Sequence, residues 1–259
     1  MFGDMEISIV IILFAFGFLG AFINSIVGGG GLITLPALLF VGLPPATAIA
    51  TNKLAATLGN LTSMLTFLRA GKIDLKLLGP IVPLVFIGSM VGAFTVNFIS
   101  PNLLKPLIFI MLVVVLIYTI IKKDWGSIEK RQEMTKKRKV LFISALIAIG
   151  FYDGFLGPGT GSFIIFAFVL MGFDFIQASG NAKLLNFTSN FAALIMFLFL
   201  DAVNYSYGLI MGVAMIMGAF AGAKFALGRG TKYVRIIFIV VTSLLILKNG
   251  YDLFMEKIH

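Results

Sequence analysis

The chain has 259 residues, 59% of them hydrophobic and 12% charged, with a mean hydropathy of +1.07. Soluble domains carry about 25% charged residues, so this composition belongs to a polytopic membrane protein. Cysteine is absent and the single histidine is the last residue, His259, which removes disulfides, thiolate metal sites and histidine-based metal or triad chemistry.

The first apolar segment covers 5–27. Its flank, MFGDMEIS, is acidic where a secretory signal needs a basic start, so the segment is expected to be retained. The segments that follow cover roughly 31–43, 44–68, 77–98 and 103–121. After a basic stretch come 139–157, 161–173, 174–200, 206–227 and 233–253. Eight of these ten are long enough to span, since a spanning helix needs about 20 residues. The two short ones begin after glycine-rich breaks, Gly28-Gly29-Gly30-Gly31 and Gly157-Pro158-Gly159-Thr160-Gly161. As helices they cover about 16 Å, half of a 30 Å hydrocarbon core, and read as re-entrant half-helices.

A constant shift of 130 residues aligns the two halves. Gly20 falls on Gly150, Gly29 on Gly159, Gly31 on Gly161, Lys53-Leu54 on Lys183-Leu184, Asn60 on Asn190, and Gly88 and Gly92 on Gly218 and Gly222. The expected organisation is a first membrane repeat over 1–122, a basic loop over 123–138 and a second repeat over 139–259. Internal duplication of this kind is common in transporters.

Of the 20 lysines and arginines, 15 fall in three regions: 69–76, 122–139 and 224–235. Placing those regions in the cytoplasm satisfies the positive-inside rule. Only Lys105, Lys248 and Lys257 then lie outside, with both termini, and Lys53 and Lys183 lie within the membrane. The net charge of +9 is thereby a topology signal and not a nucleic-acid footprint. The turn after the third segment is cytoplasmic in one half and external in the other, so the repeats are inverted. The fold expected is all-α and polytopic, with two inverted repeats of five segments, in a cell inner membrane.

Lys53 and Lys183 each lie about nine residues inside a long apolar run. A lysine at the bilayer centre costs at least about 2.5–3.5 kcal/mol and marks a functional-site hypothesis. Inversion brings the two to similar depth, where transporters with inverted repeats hold substrate. Asn60 and Asn190 share the helix faces of their lysines, at i+7. The half-helix N-termini at Gly29, Gly30 and Gly31 and at Gly159, Thr160 and Gly161 offer amide groups and positive dipole ends. Thr51 and Asn181 are counted as further neutral donors. Together these residues describe a pocket for a small oxyanion. Asp153 is the one deep acid, either an ion-pair partner for a lysine or a proton-binding group.

Plainer readings stand beside this one. The lysines snorkel, or form a structural pair with Asp153 without touching substrate. The glycine breaks serve close helix packing, and the asparagines bind helix to helix. For Gly88-x-x-x-Gly92 and Gly218-x-x-x-Gly222, packing is the reading preferred. The loop at 122–139 is a solvated orientation signal, with lipid contact secondary.

Two stretches, Asn24-Ser-Ile-Val-Gly-Gly-Gly-Gly-Leu-Ile-Thr-Leu-Pro36 and Gly42-Leu-Pro-Pro-Ala-Thr-Ala-Ile-Ala-Thr-Asn-Lys53, together with Gly154-Phe-Leu-Gly-Pro-Gly-Thr-Gly161 and Ala178-Ser-Gly-Asn-Ala-Lys183, resemble the sulfite exporter TauE/SafE family over nearly the whole chain. That resemblance implies export of small sulfur-containing anions such as sulfite or sulfonates like sulfoacetate. The expected partners are such an anion and membrane lipid, with no cofactor, no metal and no nucleic acid. The sequence does not fix oligomeric state, and a homodimer is compatible with it. The competing classes are an anion channel with the same site and a membrane-embedded enzyme. The enzyme is disfavoured by the lack of paired deep carboxylates and of an internal histidine.

Overall fold

The computed structural model describes residues 6–121 and 135–228, together with Leu247 and Tyr251. Its elements are α1 (Ile7–Val27), α2 (Gly31–Phe40), α3 (Pro45–Arg69), α4 (Leu75–Leu78), α5 (Val82–Val96), α6 (Pro101–Ile121), α7 (Lys136–Phe155), α8 (Thr160–Leu170), α9 (Phe175–Phe199) and α10 (Tyr205–Gly228), with no strand among the described residues. Most of the basic loop expected at 123–138, and the span expected at 233–253 apart from Leu247 and Tyr251, lie outside the described residues.

Sequence punctuation sets the boundaries. Helix α3 opens with Pro45 at its first position, where the missing N–H is no loss. Helix α9 opens at the same register on Asp174, whose carboxylate accepts from the amides of Ile176 and Gln177, each at 3.0 Å. Both helices run 25 residues and stand 130 apart. Each ends in a left-handed residue with a pair of reversed amide bonds. Lys72 and Gly71 donate to the carbonyls of Phe67 and Leu68, and Ala202 and Asp201 donate to those of Phe197 and Leu198. Gly71 (φ 67°) suits that conformation, whereas Asp201 (φ 49°) holds it at a steric cost.

One expected span is broken. The segment read as 77–98 consists of α4, a turn at Gly79–Ile81, and the 15-residue α5. Pro80 and Pro83 cause the break, since neither can donate an amide to the preceding turn. Helices α2 and α8 are short, at 10 and 11 residues, and each ends on a turn whose glycine has positive φ, Gly42 or Gly172.

The helices form two groups. Helices α1 and α3 pack with α10, and α2 packs on α1 and α3; helices α7 and α9 pack with α5, and α8 packs on α7 and α9. Each half thus lends one helix to the other, and the groups meet along α3 and α9. Close approach at the lent helices depends on glycine. A Cβ added at Gly88 would lie 3.0 Å from the Ile147 carbonyl oxygen, and one added at Gly218 or Gly222 would overlap the carbonyls of Phe18 or Phe22. The packing role expected for the two Gly-x-x-x-Gly pairs is the one the helices show.

Among the described residues three helices, α1, α9 and α10, are long and apolar enough to cross a membrane. Large apolar side chains such as Ile11, Ile87, Val91, Val213, Met217 and Phe220 are exposed on the outer faces. Exposed apolar surface on that scale needs lipid or another partner, as expected of an all-helical membrane protein.

Candidate functional site

The deep lysines sit at the ninth position of α3 and of α9. Both are buried, and they rank among the largest fully buried side chains in the structure. An ammonium buried that far requires compensation, and the two find it differently. Lys53 Nζ pairs with Asp153 Oδ1 at 2.9 Å and also donates to the Asp153 carbonyl. Asp153 is thus the ion-pair partner of Lys53 in this structure. The other carboxylate oxygen, Oδ2, accepts from Asn190 Nδ2 at 2.9 Å and from the Ser189 hydroxyl. Lys183 donates to the backbone carbonyl of Asn24. Among the described residues no carboxylate pairs with it.

These bonds cross between the halves. Lys53, from the first half, reaches the C-terminal turn of α7, and Lys183, from the second, reaches that of α1. The buried centre thus holds two lysines and one carboxylate.

The glycine breaks precede α2 and α8 and pack against each other. A Cβ on Gly31 would lie 3.2 Å from Pro158 Cα, and one on Gly161 would lie 2.9 Å from Gly28 Cα. Ser162 Oγ joins the breaks by donating to the Val27 carbonyl at 3.0 Å. The glycines therefore do serve packing, and that packing turns two helix N-termini toward one place. The amides of Gly31 and Gly161, equivalent under the 130 shift, take no hydrogen-bond partner among the described residues.

Those N-termini and the Lys53–Asp153 pair line one small cavity between the helix groups. Its volume is about 30 Å³, room for about two waters or a compact ion. The wall includes Gly29, Gly30, Gly31, Lys53, Asn60, Asp153, Gly159, Thr160, Gly161 and Asn190, all of them named from the sequence. Three other named residues lie elsewhere. Lys183 is buried behind the wall, on the Asn24 carbonyl. Thr51 Oγ1 accepts from the Asn204 amide at 3.0 Å, and Asn181 Oδ1 accepts from the Asp74 amide at 2.8 Å. The last two tie turns to long helices.

The structure adds residues that sequence reasoning left out of the site. Asn24 lines the cavity, donates from Nδ2 to Asn60 Oδ1 at 2.8 Å and accepts from the Gly30 amide at 3.3 Å. It thus holds the first glycine break in place. Asn52, Asn186 and Thr34 also line the wall. For Asn186 the signal was present, since it lies three residues after Lys183 on one helix face.

The wall sets an ammonium and free helix-start amides beside carboxamides and the paired Asp153 carboxylate. Donors converging on a water-sized space suit a small anion.

Comparison with known proteins bears on this chemistry. The model of the family described as "Sulfite exporter TauE/SafE" matches residues 13–249. A "Probable membrane transporter protein" from Haemophilus influenzae is 37% identical over 250 residues, covering 96% of this chain and 97% of its own length. A "Probable membrane transporter protein ORF9" from Sinorhizobium sp is 35% identical, covering 95% of this chain and 94% of its own. "Probable membrane transporter protein YfcA" from Escherichia coli is 36% identical, covering 93% and 89%. No solved structure matches the chain.

Proposed function

Since the chain belongs to the sulfite exporter TauE/SafE family, we propose that it is a secondary membrane transporter that exports a small sulfur-containing oxyanion. The observation that carries this reading is the cavity between the helix groups, lined by both glycine breaks and by Lys53, with a second buried lysine, Lys183, behind its wall. In this reading the free amides of Gly31 and Gly161 and the ammonium of Lys53 hold the oxygens of the anion. Lys183 supplies the uncompensated charge from behind the wall. Sulfite and compact sulfonates fit a cavity of this size better than long-chain organosulfur anions do.

The proposed architecture is the inverted one, with 1–122 and 139–259 as repeats of opposite orientation, eight spanning helices and two half-helices. The 69–76, 122–139 and 224–235 regions face the cytoplasm. Alternating access then comes from the α1–α2–α3–α10 group rocking against the α5–α7–α8–α9 group, with the cavity at their seam. An inside-negative potential favours anion export by about 2.3 kcal/mol per charge per 100 mV.

The test is transport by purified protein in liposomes, with sulfite, thiosulfate, sulfate, sulfonates and carboxylates as candidate substrates, repeated with Lys53→Ala and Lys183→Ala. Sulfite or sulfonate flux that both substitutions abolish is expected. Unchanged flux in both variants sinks the site, and flux for carboxylates alone sinks the substrate class.

A further inference from the structure

The wall of the cavity is polar except at one place. Among the described residues that line it, Ala56 and Met215 alone bring apolar side chains. Both come from the seam where α3 packs on α10. Gly59, three residues after Ala56, closes that seam. A Cβ added there would lie 3.1 Å from Met215 Cβ and 3.3 Å from the Met215 carbonyl oxygen. Met215 thus reaches the cavity with its backbone held against α3. Its side chain is unbranched and polarisable, and it carries no donor hydrogen.

Helix packing alone does not call for this patch. The symmetry-related seam lies between α9 and α5. There Asn186 stands for Ala56 and lines the same cavity with a carboxamide. Val85 stands for Met215; it is buried against Gly150 and is not part of the wall. Ser189 stands for Gly59 and spends its hydroxyl on Asp153. The apolar patch therefore arises at one seam only, from three positions at which the halves differ.

An oxyanion treats such a wall unevenly. A charged oxygen buried without a donor is penalised. The Gly31 and Gly161 amides and the Lys53 ammonium can serve oxygens, whereas Ala56 and Met215 can serve none. What suits them is a face of the anion that lacks a charged oxygen: the lone pair of sulfite, the carbon of a sulfonate, or the weakly accepting terminal sulfur of thiosulfate. We infer that Ala56 and Met215 form an apolar seat for the side of the anion that carries no fourth oxygen, and that Met215 is the residue that excludes sulfate. Sulfate matches thiosulfate in charge and tetrahedral shape, but its fourth oxygen lies on the methionine without a donor. This inference rests on the transport reading and names the residue that sets its selectivity.

The test is competition by thiosulfate and by sulfate against radiolabelled sulfite, on the purified full-length protein. Thiosulfate is expected to compete at least about tenfold better than sulfate, the scale of one missing hydrogen bond to a charged oxygen. Met215→Gln keeps the length of the side chain and adds a donor, so the preference should fall to within about twofold. Met215→Leu keeps the seat apolar and should retain the preference. Ala56→Ser places a small donor on the same patch and should narrow it, which keeps the test open if Met215→Gln melts before it can be assayed. Sulfate competing as well as thiosulfate in the wild-type protein would overturn the inference, with no variant needed. So would an undiminished preference in folded Met215→Gln or Ala56→Ser, or a preference lost equally in Met215→Leu. If sulfite itself does not bind, the transport reading falls too. If sulfite binds and the two competitors are equal, only this inference falls.

Discussion

Asp153→Asn isolates the buried ion pair. The substitution keeps the shape of the side chain and removes its charge, leaving Lys53 buried with no counter-ion. At 2.9 Å, and with an effective dielectric constant of about 20, the direct attraction is roughly 6 kcal/mol. Relaxation and water penetration reduce that, and removing one partner of a buried pair costs about 3–5 kcal/mol. The new amide also faces donors on both sides. Its nitrogen must turn either toward the Lys53 ammonium or toward the Ser189 hydroxyl and Asn190 Nδ2. The loss is large against a typical stability of about 5–15 kcal/mol. The measurement is thermal melting of the purified protein in detergent, with and without sulfite. Asp153→Asn should melt well below wild type, and sulfite should recover more stability in the variant, because a bound anion replaces the missing charge. Pairing it with Lys53→Met should restore part of the loss, as a double-mutant cycle expects of coupled groups. A single-variant cost below about 1 kcal/mol, the range of exposed pairs, would refute the claim that the pair is desolvated.

Three further outcomes follow from the geometry. Lys183→Met removes the charge that no carboxylate balances and gives up one hydrogen bond, to the Asn24 carbonyl. It should cost no more than about 1–3 kcal/mol in melting, yet abolish stabilisation by sulfite. Asp201→Gly relieves a left-handed residue at the end of α9, where the equivalent Gly71 has none of that strain. It should raise stability by about 0.5–1 kcal/mol with transport unchanged, as measured by melting and flux together. Because the chain has no cysteine, single substitutions test orientation cleanly. In intact cells an impermeant maleimide should label Asp201→Cys and spare Lys139→Cys, and the reverse pattern would invert the topology.

Much of this arrangement was legible in the sequence because it follows local rules. Proline, glycine and aspartate mark the ends of α3 and α9, and the constant 130-residue shift identifies the paired lysines, asparagines and glycine breaks. Other placements depend on which face of its helix a residue occupies. Thr51 and Asn181 each stand two residues before a lysine, about 200° around the helix, so they face away from it. Both serve turns on the far side. The broken span at Gly79–Ile81 was hidden by apolar composition, although Pro80 and Pro83 signalled it. The exchange of α5 and α10 between halves was not legible, because it depends on which faces meet. That exchange is bound up with the placing of Lys53 on Asp153 and Lys183 on Asn24.

The 130-residue register also separates what builds the cavity from what sets its chemistry. Lys53 and Lys183, Asn60 and Asn190, Gly29 and Gly159, and Gly31 and Gly161 have the same identity in both halves. Two helix starts must meet without Cβ atoms between them, so a symmetric pair of glycines is what packing requires. The other polar groups have no counterpart. Asp153 stands where the first half has Ile23, Asn24 where the second has Gly154, Asn52 where it has Ala182, and Asn186 where the first has Ala56. A fully symmetric version without Asp153 would hold two uncompensated ammoniums, and one with two such acids would hold none. The duplicated framework makes the space beside Lys53, and the unpaired residues around it decide which polar groups line that space.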